Sequence, residues 1–532
     1  MQPLAEFRQW TRDAPVAERA RTAVVVGVAV VVLAWALSPS FDGDQDAATA
    51  TASFDEVAGG DVATKAPGTE PGASGGPGTG AGTAAPGQPV GATGPVAGTG
   101  GSAQGTDPAV AGGGAEAAPT PASGGGCTSL PGEAEGVDAE SVTIAVGLTE
   151  IAGAAANSLF NLPSPAEQQQ GFEAVIAGIN AEGGVACRQL RARYHRANPA
   201  DESQMLRVCL EVAESDVFAM VDTGALGSRP NVVGCFGQNR IPYFGGFATT
   251  EAQRQQYFPY VYGFYTKELL YQTSAIALRA RGFLDPARGF DKLGFLYKSC
   301  EKDAIGRFRT WLVEAGVAPS DIVPYDLGCP PAFAAPSDLA QAVLTFRRQG
   351  VTHVVTGNIP GDLANFTNIA EQQGFRPRYA FPDESVISLS EGNQRPNPDN
   401  IDGAVAITLS RQGERDTPGI QPNPGTARCD AYYAAAGQGP VHERHALAGN
   451  TCNQLWMVQA ALGRAPSLEA AALPEGLQRT GSIDFSFPQG PNDFTAPGTT
   501  TGGQFSRVAR FDRGCECWLL DQTDFTPGPS VR

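Results

Sequence analysis

The chain has 532 residues, with 37 basic against 55 acidic side chains and a formal charge of −18. That balance excludes a nucleic-acid binder, which needs a basic surface to neutralise phosphates. Many of its 66 glycines and 41 prolines crowd into one early region, so much of the chain is not globular material.

Residues 1–21 carry Arg8, Arg12, Arg19 and Arg21 and read as a cytoplasmic tail. Thr22–Leu37, TAVVVGVAVVVLAWAL, holds no charge, and Asp42, Asp44 and Asp46 follow it. The positive-inside rule puts the N-terminus in the cytoplasm and the rest outside. The run is short for a membrane span, where about 20 residues is typical. Two readings therefore stand over 22–38: a single-pass transmembrane anchor in the cell membrane, or a signal h-region cut near Ala34-Trp35-Ala36. Both export the remainder. Residues 39–126, rich in Gly, Ala, Pro and Thr, cannot bury enough apolar surface to offset chain entropy. They read as a disordered linker, a coil spanning about 50 Å.

From Ser141 onward strands and helices alternate. Strand-like runs fall at 142–147, 190–195, 217–222, 241–244, 260–265, 292–297, 322–327, 353–357, 379–381 and 403–408. Helix-period runs fall at 167–180, 202–214, 267–281, 302–315, 336–349 and 362–373, then near 426–436 and 443–462. Such alternation builds doubly wound parallel sheets, and the length of 127–532 suits two of them. The expected lobes are about 141–260 plus 403–480, and about 261–402 plus 481–520. In open α/β sheets ligands bind outside the carboxyl ends of the strands. The loops after the strands are therefore where a site is expected.

All ten cysteines follow residue 126, and in an exported chain they read as disulfides. Local topology suggests Cys209–Cys235, Cys300–Cys329 and Cys429–Cys452. Cys127, Cys187, Cys515 and Cys517 then pair among themselves. A bond inside Cys515-Glu516-Cys517 would be strained, so outward pairing is expected.

Several segments carry a family resemblance in their order and spacing. They are GFEAVIAGINAEGGV (171–185), IPYFGGFATTEA (241–252), THVVTGNIPGDLANFTNIAEQQGF (352–375), FPDES (381–385) and FSRVARFDRGCECWLL (505–520). Together they resemble the type I periplasmic solute-binding proteins, in particular the leucine/isoleucine/valine-binding branch of ABC importers. The resemblance implies the α/β two-lobe type I periplasmic-binding-protein fold: two doubly wound parallel sheets joined by a three-strand hinge, closing on a small ligand. It implies no catalysis and no cofactor. An ABC permease is the implied membrane partner, receiving a small polar ligand such as an amino acid or amide.

Candidate ligand-binding residues follow the strands: Thr149 and Glu150; Gly224, Ala225 and Ser228; Thr249 and Thr250; Tyr297; Asn358; Asp383 and Glu384. The resemblance makes Thr249 the carboxylate binder and Glu384, with Asp383 second, the ammonium binder. Plainer readings stand beside these: Ser228 and Thr249 as helix caps, Gly224 as a turn, 382–385 as a solvated turn. The chain also departs from the amino-acid binders. It has no aromatic at Ile305–Gly306 or Asn358–Ile359 and no Gly-Pro in its first loop, so a branched-chain amino acid does not follow.

Enzyme motifs fail. His442-Glu443-Arg444-His445 places its histidines three apart, not the four a zincin helix needs, and no metal site is expected. No nucleophile elbow or P-loop appears. Two rivals remain to the importer reading: a membrane-tethered sensor of the same fold, and an exported α/β enzyme.

Overall fold

The computed structural model describes residues 130–529, apart from 152–156, 158–161, 225, 247, 330–332, 358, 360–361, 383–394, 412, 415, 422, 441–447, 487, 489 and 522–525. The expected membrane segment, the linker, Cys127, Ala225, Asn358, Asp383 and Glu384 lie outside the described residues.

The first strand, β1 (Ser141–Thr149), has Val142, Ile144, Ala145 and Val146 fully buried. Burial on both faces is what a central parallel strand requires. A capping box follows: Ser164 accepts from the Glu167 N–H, and Glu167 reaches back to Ser164. With Pro165 in the first turn, it starts α1 (Pro165–Ala181), whose Phe172, Val175, Ile176 and Ile179 face the core. The chain continues through β2 (Gln189–Ala197), α2 (Glu202–Ala213), β3 (Met220–Asp222), α3 (Pro230–Gln238), β4 (Tyr243–Gly245), α4 (Glu251–Gln256) and β5 (Val261–Tyr262). The sheet order is β2-β1-β3-β4-β5, all parallel. The order reverses between β1 and β3, which is a topological switch point.

The chain then builds a second sheet. It runs through α5 (Lys267–Ala280), β6 (Leu293–Tyr297), α6 (Lys302–Glu314), β7 (Ile322–Asp326), α7 (Pro336–Arg348), β8 (His353–Gly357), α8 (Leu363–Gln372), β9 (Arg378–Phe381) and β10 (Val405–Thr408). Next come α9 (Pro424–Ala435), α10 (Ala448–Gly463) and α11 (Leu473–Thr480), then β11 (Ser482–Ile483) and β12 (Asn492–Asp493), a small antiparallel pair. β13 (Phe505–Asp512) and β14 (Cys517–Leu520) close the second sheet antiparallel, in the order β14-β13-β10-β9-β8-β6-β7. Its switch point lies between β6 and β8.

Helices α9 and α10 pack on α1 against the first sheet, while α7 and α8 pack together beside the second. The chain passes between the sheets after β5, after β10 and before β13. These passages touch: Gly263 N donates to Thr500 O at 3.1 Å, and Ser410 bridges Pro488. Gly503 N donates to Phe264 O, and a Cβ on Gly503 would stand 2.6 Å from that oxygen, so the crossing needs glycine there. β13 shares a buried ion cluster with the second passage: Arg411 and Arg507 lie 3.2 and 2.8 Å from the same Glu414 oxygen.

Two details differ from the sequence expectations. Residues 403–408 were placed with the first lobe, but β10 hydrogen-bonds between β9 and β13 in the second sheet. Alternation alone cannot tell which sheet a buried strand joins. Cys209–Cys235, Cys300–Cys329 and Cys429–Cys452 are bonded as expected. Cys515 and Cys517, expected to pair outward, are bonded to each other. A left-handed Glu516 (φ 51°) in the β13–β14 turn brings their Cα atoms to 5.1 Å, within disulfide range.

Candidate functional site

Parallel register sets the site. Gly147 pairs with Asp222 and Asp222 with Gly245, so the loops after β1, β3 and β4 stand side by side. Tyr297 pairs with Gly357 and Asp326, which aligns the loops after β6, β8 and β7 in the same way.

Thr149 ends β1. Its N–H donates to Gln168 Oε1 at 2.8 Å, and its carbonyl accepts from Gln168 Nε2 at 2.7 Å and Asn157 Nδ2 at 2.8 Å. The backbone is thus clamped while the buried hydroxyl has no partner among the described residues. Glu150 beside it pairs with exposed Arg196 at 3.3 Å.

Asp222 ends β3 and is fully buried. One carboxylate oxygen accepts from Leu226 N and Gly227 N, both at 3.0 Å, and from the Tyr243 hydroxyl at 2.8 Å. Burial, reinforced by that carboxylate, holds the Tyr243 phenol well above its ordinary pKa, so it stays a donor. Asp222 therefore folds the 223–227 turn, which carries buried Gly224, back over the strand ends. Gly246 N donates to the Asp222 carbonyl at 2.8 Å, and a Cβ on Gly246 would sit 2.5 Å from Thr223 O. Close packing of the second and third loops depends on that glycine.

Thr249 follows. Its carbonyl accepts from Lys267 N at 3.0 Å, and its hydroxyl, like that of Thr149, is buried without a partner among the described residues. Thr250 is the cap of α4, accepting from Gln253 N at 3.2 Å.

The two sheet edges meet through Arg229, with two ion pairs of the second sheet beside it. The Arg229 guanidinium lies 3.4 Å from Cys329 Sγ and 3.6 Å from Cys300 Sγ, reaching from the start of α3 to the loops after β6 and β7. Lys267, opening α5, pairs with Glu301, which precedes α6. Lys298, after β6, pairs with fully buried Asp362 at 2.6 Å, and Asp362 also accepts from Ala334 N. Tyr297 stands at the end of β6, half-buried, its phenol pushed up by desolvation. A recess beside these loops is lined by Gln168, Phe172, Thr223, Tyr433 and Thr451.

Two sheets with facing switch-point edges and three crossings match known proteins. Residues 162–515 match the family described as periplasmic binding protein. The chain belongs to that family.

Solved structures show the same fold at low identity. A fatty acid ABC transporter substrate-binding protein from Thermomonospora curvata is 16% identical, with TM-score 0.51 over 74% of this chain and 95% of its own. A branched-chain amino acid transporter substrate-binding protein from Streptococcus pneumoniae, in complex with isoleucine, is 15% identical, with TM-score 0.52 over 73% and 100%. A solute-binding protein from R. palustris, in complex with 4-hydroxybenzoate, is 12% identical, with TM-score 0.54 over 74% and 99%. No curated protein sequence matches the chain.

In this periplasmic binding protein the structure brings Thr149, Gly224 and Thr249 to one sheet edge and Tyr297 to the other. The helix-cap reading falls to Thr250, which leaves the Thr249 hydroxyl without a partner among the described residues. Ser228 ends a short 3-10 turn, Leu226–Ser228, and Arg229 occupies the cap position of α3. Sequence reasoning missed Gln168, Arg229, Lys267, Glu301 and Asp362. Gln168 had a signal, because it is a polar residue four before Phe172 on the apolar stripe of α1. The charged residues had none, since each partner sits on a different element.

Proposed function

We propose that this protein is an extracytoplasmic solute-binding protein that delivers a small polar ligand to an ABC permease by hinge closure. The observation that carries the reading is the pair of hydroxyls, on Thr149 and Thr249, buried without partners among the described residues at the switch-point edge of the first sheet. A buried hydroxyl without a hydrogen bond is costly, and a ligand that supplies one removes the cost. The start of α3 meets the loops of the second sheet through Arg229. A solute bound there touches both lobes and stabilises the closed arrangement.

Isoleucine, 4-hydroxybenzoate and a fatty acid, named with the three relatives, each carry a carboxylate. That is the group two hydroxyl donors serve, so the ligand proposed here is a small carboxylate, an amino acid or a related amide. Glu384, with Asp383 beside it, is assigned to an ammonium where the ligand has one. Residues 22–38 serve as anchor or export signal, and 39–126 as the tether. The lobes are taken as 141–260 with the α9–α11 helices, and the second sheet with its own helices.

A thermal-shift screen of the full-length protein tests this against branched-chain amino acids, hydroxybenzoates, medium-chain fatty acids and small amides. At 100-fold excess over Kd, a ligand of the native state stabilises by about 2.7 kcal/mol, several degrees for a domain this size. At least one compound is expected to do so; a flat response across the panel contradicts the reading.

A further inference from the structure

The disulfides among the described cysteines fall into two kinds. Cys209–Cys235, Cys300–Cys329 and Cys429–Cys452 span 26, 29 and 23 residues and join separate elements. Loops of that length restrict the unfolded chain strongly, so these three act as staples. Cys515–Cys517 spans 2 residues. It joins positions that the β13–β14 hairpin already holds, with Asp512 opposite Cys517 and Phe511 opposite Trp518. Closing so short a loop removes almost no freedom from the unfolded chain. As a staple it is redundant.

Its setting differs from that of two staples: Cys209, Cys429 and Cys452 are fully buried and Cys235 half-buried, whereas Cys515 is exposed and Cys517 half-buried. Cys300–Cys329 is equally open, half-buried and exposed, so backbone strain rather than exposure sets Cys515–Cys517 apart. Glu516 between them is held at φ 51°, a left-handed conformation that disfavours any residue with a Cβ. Opening the bridge frees Glu516 to leave that conformation. Exposure admits an attacking thiolate, and relief of backbone strain favours the dithiol product.

We propose that Cys515–Cys517 is a thiol–disulfide exchange site whose reductant is an exported dithiol. A donor thiolate attacks Cys515 Sγ, forming a mixed disulfide and expelling the Cys517 thiolate. The donor's second thiolate then attacks the donor sulfur of that mixed disulfide. The donor leaves as its own disulfide, and Cys515 is released as a thiolate. Two electrons pass from donor to protein, and the protons given up by the donor thiols end on Cys515 and Cys517. A disulfide partner closes the bridge by the reverse steps.

The test exposes oxidised full-length protein to graded ratios of reduced to oxidised dithiothreitol, followed by acid quench, alkylation and residue-resolved mass mapping. Cys515–Cys517 is expected to open at a ratio at least about tenfold lower than any of the other three. Opening together with them, or after them, overturns the proposal. A second measurement uses E516G, since glycine adopts the left-handed conformation freely. Its bridge should need about fivefold more dithiol to open; an unchanged midpoint overturns the strain argument. A third compares melting temperatures of the parent and the C515S/C517S double variant. They should agree within about 2 °C, because a larger fall would make the bridge a staple after all.

Discussion

Thr149 and Thr249 are buried threonines whose hydroxyls meet nothing among the described residues. In a protein built only for stability such positions favour valine, which has the same shape without the desolvation cost. T149V and T249V are therefore expected to leave thermal stability unchanged or slightly raised, while weakening a carboxylate ligand about tenfold each, roughly one hydrogen bond. Melting curves and calorimetric titration of the same samples separate the two effects. Equal affinity in both variants places the site elsewhere. Thr250 offers the contrast: its hydroxyl caps α4, so its replacement costs stability rather than binding.

Among the elements, β8 carries a buried histidine. His353 is 1% exposed, edge-on to Phe283 at 4.8 Å and tilted against Phe290 at 5.3 Å, with Nδ1 2.9 Å from the Thr352 hydroxyl. Burial, aided by the positive charge of Arg378, lowers its pKa from 6.5 to about 4. The folded state thus binds this proton less readily than the unfolded state. The stability contribution is complete above 6.5 and is lost as pH falls from 6.5 toward 4. Between pH 7 and 5 the loss from this residue is about 2 kcal/mol. Urea unfolding at the two pH values checks it: H353F should show that much less acid sensitivity than the parent, and identical slopes would contradict the assignment.

The elements themselves were largely legible. β1, β6 and β8 are short apolar runs bounded by polar loops, and α1 and α2 show themselves through a 3.6-residue stripe. The short helix α3 was harder to bound, because Arg229 occupies its cap with no side-chain hydrogen bond. The pairing inside Cys515-Glu516-Cys517 was illegible for a related reason: the left-handed turn at Glu516 runs against that residue's own preference, so nothing local in the sequence announces it.

At the scale of the whole molecule, two doubly wound sheets present their carboxyl edges to each other, joined by three crossings that bond to one another. The loops that bear the candidate site could be read from strand order, since a switch point follows from topology alone. What joins the edges could not. Arg229 meets a disulfide whose cysteines lie 71 and 100 residues away in sequence. Such partners are chosen by packing, and no local pattern records them. The account predicts that the cleft works as a unit, with a solute engaging both edges at once.

Hydrogen exchange followed by mass spectrometry, on full-length protein with and without a saturating compound from the thermal-shift screen, tests this most directly. The predicted result is slowed exchange together in the loops after β1, β3 and β4 and in those after β6 and β9. Slowing confined to one sheet edge, or found only away from both, would contradict it.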